Sequence, residues 1–152
     1  MKLFVLLFLV LSLSACISIN TLEGLKANST ASPVYVSKSN FAELKLNVYE
    51  YLSQCYRSQA SKVKMNGAAL GGAIYSIDKL KKEDGIDFVV KRWLSGGAAR
   101  DSGYHHFLLL SIKEGKETNN KPTIQVHSNG FINTEATFEN IKKVTQGKAA
   151  KC

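Results

Sequence analysis

No apolar run in this 152-residue chain is long enough to cross a bilayer. The longest, residues 3–13, holds eleven residues, all apolar except Ser12, whereas a spanning helix needs about 20. There is no Cys-x-x-Cys pair, so a thioredoxin-like redox role has no support. There is no Gly-x-Ser-x-Gly elbow, which removes the usual mark of an α/β-hydrolase nucleophile. The Gly-rich run at residues 66–72 is followed by Ala73, not by Lys-Ser/Thr, so it cannot be read as a phosphate-cradling P-loop. Acidic side chains are few, 12 against 20 basic ones, for a net charge of +8. No block of five or six like charges occurs, and scattered lysines of this kind read first as a soluble surface.

What is present begins at the N-terminus. Met1-Lys2 is a positive n-region, residues 3–13 are an h-region of signal-peptide length, and Ser14 and Ala15 are small where a signal peptidase needs small side chains. Leu13-Ser14-Ala15-Cys16 resembles the lipobox of bacterial lipoproteins. That resemblance implies cleavage of residues 1–15 and a thioether-linked diacylglycerol plus an acylated amine on Cys16. One acyl chain binds marginally and two or more anchor stably, each buried CH₂ contributing about 0.8 kcal/mol. Ile17, where an inner-membrane retention signal of enteric type carries aspartate, resembles the outer-membrane pattern. The expected location is the bacterial cell envelope, lipid-anchored at the outer membrane and facing the periplasm.

The cysteines follow from that compartment. With Cys16 taken by lipid, Cys55 and Cys152 remain, an even pair in an oxidising space, and a structural disulfide is expected. Loss of Lys2 with the signal lowers the net charge from +8 to +7. Moderate positive charge suits anionic neighbours such as lipid headgroups, lipopolysaccharide phosphates or peptidoglycan carboxylates, and the location leaves nucleic acid out as a partner.

After the signal, residues 16–33 read as the lipidated cysteine and a flexible tether, since Asn28-Ser29-Thr30-Ala31-Ser32-Pro33 is small, polar and closed by proline. Residues 34–152 are one domain's worth. Val34-Tyr35-Val36 is β-prone. Asn40 followed three residues later by Glu43 is a capping-box arrangement. Phe41, Leu44, Val48, Tyr51, Leu52 and Cys55 then recur at helical spacing, which predicts a helix over residues 41–58. A flexible loop is expected over residues 59–72. Strands are predicted over 73–80, 86–94, 104–113 and 122–128, with Tyr104, His106, Leu108, Leu110 and Ile112 on one face of the third. After Asn129-Gly130, a turn signal, Asn133 or Thr134 caps a second helix whose inner face is Phe138, Ile141 and Val144 and whose stop is Gly147; residues 131–138 as a further strand is the alternative. These elements make an α+β two-layer sandwich, an antiparallel four- to five-stranded meander covered by two helices. The layout is similar to a set of small bacterial envelope lipoproteins of helix-over-sheet build, a resemblance that brings no activity with it.

Three histidines invite a metal site, but His105 and His106 are neighbours on a strand and point to opposite faces, with His105 and His127 expected outward. At most two share a face, whereas catalytic zinc takes three protein ligands, so neither metal nor cofactor is expected. Asp101, Ser102 and His105 are close in sequence only, and adjacency is not a triad. The remaining candidate surface is the sheet end where two Gly-rich loops meet, gathering Lys62, Lys64 and Arg100 as a cationic rim for an anionic envelope component or an envelope protein. The expected function is a membrane-anchored, non-enzymatic binding or accessory module. The alternatives are a structural subunit of an envelope assembly complex and a cell-wall hydrolase or metal-dependent enzyme.

Overall fold

A computed structural model describes residues 20–57, 64–65, 68–69, 74–94, 103–115, 121–129 and 133–152. In chain order the elements are α1 (Leu22–Ala27), β1 (Thr30–Ala31), β2 (Tyr35–Val36), α2 (Phe41–Cys55), β3 (Lys64–Met65), β4 (Ala68–Ala69), β5 (Ile74–Lys82), β6 (Gly85–Leu94), β7 (Gly103–Lys113), β8 (Thr123–Ser128) and α3 (Thr134–Thr145). The α+β class is as expected: an antiparallel sheet in the order β1-β8-β7-β6-β5, with β2 also on β8, and two long helices over one face.

Local chemistry explains the helix starts. The Asn40 side chain accepts from the Glu43 N–H at 2.9 Å, and the Asn133 side chain accepts from the Ala136 N–H at 3.1 Å; each satisfies a donor that a helix N-terminus leaves orphaned. Helix α2 stops at Cys55, three residues short of the expected end. Helix α3 closes on Gly147, whose φ of +71° is the left-handed conformation glycine adopts without a Cβ penalty. Leu44, Val48 and Leu52 of α2 and Ile141 and Val144 of α3 bury against Phe88, Val90, Leu108, Leu110, Ile112, Ile124 and Val126, forming the main core on what we call the front face.

Three expectations are corrected. The tether expected over 16–33 is folded from Thr21 onward: α1 is capped by the Thr21 hydroxyl, and its Leu25 is fully buried against Val89 and Leu109 on the back face. Thr30 and Ala31 pair with Ser128 and His127, and the Ser32 hydroxyl accepts the Val126 N–H at 3.0 Å, so β1 and β2 act as one interrupted edge strand. The loop expected over 59–72 contains the small β3–β4 hairpin. The face assignment of β7 also changes. Val90 pairs with Leu108 but Lys91 pairs with His106, so Phe107 is an extra, bulged residue that joins Leu108 in the front core. Beyond it the alternation inverts, placing Tyr104 and His106 on the back face and His105 on the front.

The β5–β6 turn depends on Gly85. A Cβ there would lie 2.0 Å from the Ile112 carbonyl oxygen and 3.0 Å from the Lys113 Cα, both backbone atoms that cannot rotate away. Gly85→Ala is expected to cost about 1–3 kcal/mol through displacement of β7. Thermal melting checks this, and an unchanged midpoint would show that the hairpin yields freely.

Candidate functional site

The back face is built in cross-strand rows. The first runs Leu80, Asp87, Ser111, Gln125; the second Asp78, Val89, Leu109, His127; the third Ser76, Lys91, His106; the fourth Ile74, Trp93, Tyr104. Helix α1 sits on the second row through Leu25 and Leu22. Beside it, over the first row, opens a cavity of about 290 Å³ lined by Lys26, Lys82, Asp87, Ser111, Gln125 and His127 among others. Asp87 is 1% exposed, an unusual burial for a carboxylate. Its charge is met by Lys82, whose own side chain stays half in water. Removing Lys82 would leave the buried carboxylate uncompensated, so the pair is needed to keep Asp87 in the cavity wall.

His127 borders the same cavity. Its Nδ1 lies 3.3 Å from the Ser29 hydroxyl, just after α1, and the Gln125 Nε2 donates to the Ser32 carbonyl at 3.3 Å. These contacts clip the N-terminal arm to β8. Burial, reinforced by Lys26 and opposed by Asp87, holds the His127 imidazole below its ordinary value of 6.5. The folded state therefore prefers the neutral ring, and its stabilising contribution is complete above 6.5 and is lost as pH falls through the lower folded value. An NMR titration of the His127 ring is expected to show a midpoint below 6.5, with β1 amides losing protection as pH drops past it. A midpoint at or above the ordinary value would remove the arm's pH sensitivity.

Chemically, the cavity offers a buried carboxylate met by the half-exposed Lys82 and a second, more exposed pair of Asp84 with Lys113. It adds an imidazole that favours its neutral form, a hydroxyl and an amide, a set suited to holding a small polar group. The burial of Asp87 is not legible in the sequence, because nothing in the pattern announces that α1 returns to the back face. A second, smaller cavity of about 200 Å³ lies between α2 and α3 beside the disulfide, lined by Tyr51, Tyr56, Asn133 and Asn140. Burial raises both phenols above the ordinary tyrosine value.

The expected residues are distributed unevenly. Cys55 and Cys152 are joined, with a Cα–Cα distance of 5.1 Å. Cys16, Lys62, Arg100, Asp101 and Ser102 lie outside the described residues, and of Lys64 only the β3 backbone pairing with Ala69 is described. Among the described residues no group of three His, Cys, Asp or Glu is arranged to hold a metal ion. His106, not His105, shares the back face with His127, one row away. No family model, no curated protein and no solved structure gives a significant match to this chain.

Proposed function

We propose that this chain is a lipid-anchored protein of the bacterial envelope, held at the outer membrane and facing the periplasm, whose domain is a non-enzymatic binding or accessory module. The observation that carries this reading is the Cys55–Cys152 bridge in a chain that opens on Leu13-Ser14-Ala15-Cys16. A stable structural disulfide belongs to an oxidising compartment, and the N-terminal motif names a route into one. The polar back-face cavity supplies a place to hold a small group of an envelope component. Lys62, Lys64 and Arg100 supply a second, cationic candidate for an anionic envelope component or an envelope protein.

Mass spectrometry of the N-terminal peptide from membrane fractions tests the anchor. It is expected to give residue 16 as the first residue, carrying the mass of its acyl groups; an unmodified Cys16 ends the reading. Photocrosslinking in cells from position 100 tests the module, and failure to capture any envelope protein or polymer counts against it. The second reading, a structural subunit of an envelope assembly complex, draws on the helices-over-sheet architecture. Stoichiometric co-purification after mild detergent extraction favours it over a free-standing module.

A further inference from the structure

The fourth row of the back face is apolar and open. Ile74, Trp93 and Tyr104 are successive cross-strand partners on β5, β6 and β7, and they are 44%, 37% and 42% exposed. The Trp93 and Tyr104 rings meet edge to face with centroids 5.0 Å apart, so the row is a formed surface and not scattered side chains. It lies two rows from the one α1 covers, about 13 Å along the strand from Val89 at the usual rise per residue. The opposite face of the sheet is occupied by α2 and α3.

We infer that this row rests on the headgroup layer of the phospholipid bilayer to which the chain is anchored. The inference depends on the lipidation of Cys16 proposed above. It is carried by where the arm docks: Thr21 caps a helix seated on the back face, and five residue steps separate it from Cys16. Fully extended, five steps reach about 18 Å, less than the thickness of a bilayer's hydrocarbon core. A lipid on Cys16 therefore holds the back face near the bilayer, where a long tether would leave the domain free to turn. The chemistry of the row fits that position. Trp and Tyr favour the membrane–water interface because each joins an apolar ring to a polar tip, and Ile74 adds apolar area without charge. Exposed Lys26 in the last turn of α1 brings a cation for headgroup phosphates.

Trp93 is the only tryptophan in the chain, which makes the test direct. The full lipidated protein is reconstituted into phosphatidylethanolamine–phosphatidylglycerol vesicles and compared with the Cys16→Ser chain in solution. Trp93 emission is expected to shift to shorter wavelength, acrylamide quenching to fall severalfold, and phospholipids brominated on the acyl chain to quench it. Replacing Ile74 and Tyr104 with serine should restore acrylamide access in the vesicles. Their exposure leaves the fold in place, which the melting temperature verifies. Protein that floats with the vesicles while Trp93 stays as accessible as in solution overturns the inference and leaves the anchor standing. Protein without acyl groups that does not float overturns both. Shielding of Trp93 that requires an added envelope extract, or that follows protein concentration without lipid, assigns the row to a protein partner or a second copy and overturns it as well.

Discussion

Reduction of the Cys55–Cys152 bridge is expected to lower the melting temperature of the domain by roughly 10–20 °C. The cysteines are 97 positions apart, so the bridge closes nearly the whole domain into one loop. In the chain-entropy view a loop near 100 residues contributes up to about 4.7 kcal/mol, and practice usually falls short of that, nearer 3–4. The bridge joins the last residue of α2 to a C-terminal stretch held by little else. Asn140 donates to the Lys151 carbonyl at 2.6 Å, and Ala150 packs at the edge of the core. Once reduced, the tail past α3 has few contacts to keep it in place, and the groove beside Tyr51 and Tyr56 opens to water. The Cys55→Ser, Cys152→Ser double variant should melt with the reduced protein and be indifferent to reductant. Two free thiols titrated in the non-reduced, delipidated domain, or equal melting with and without reductant, would remove the bridge from the account of stability.

Phe88→Ala is expected to cost about 3–5 kcal/mol, a large fraction of the total stability of about 5–15 kcal/mol usual for a domain. Phe88 is fully buried at the centre of β6, facing α2, and the Tyr49 ring stacks on it at 6.2 Å and 24°. Its neighbours Asp87 and Val89 point to the back face, so none of them can turn in to fill the void. The void would be walled on its helix side by α2, which the Cys55 bridge holds at its C-terminal end, and collapse is correspondingly restricted. Urea unfolding is the measurement: the midpoint should fall steeply while the slope is retained. A loss below about 1 kcal/mol would mean that the core closes over the gap, contrary to the close packing expected of a protein interior.

Much of the architecture was legible because it rests on short-range chemistry. Asn40 and Asn133 mark helix starts through side chains that reach only three residues ahead. The apolar stripe of α2, and the Gly147 stop of α3, are equally local. Parity of the cysteines, with an oxidising compartment as the expectation, led to the bridge. The four long strands were separable because polar turn residues divide alternating runs. The candidate site was much less legible. Residues 28–33 read as a spacer by composition, and a six-residue helix carries too few positions for a helical period to register. The β7 bulge was hidden because Phe107, Leu108, Leu109 and Leu110 form an unbroken apolar run in which alternation cannot be seen. That one extra residue moved His106 and Tyr104 to the back face and assembled the row with Trp93.

The sequence by itself determined the two capped helices, the meander and the pairing of Cys55 with Cys152. Each is written in residues that act on near neighbours or, for the cysteines, in the even pair that remains once Cys16 is set aside. Only the tertiary structure decided that Leu25 docks on Val89 and Leu109, that Asp87 is buried with Lys82, and that Ile74, Trp93 and Tyr104 line up across three strands. Those outcomes depend on register and on contacts between residues far apart in the chain, and burial free energy is set by which surfaces meet, not by the composition of either one.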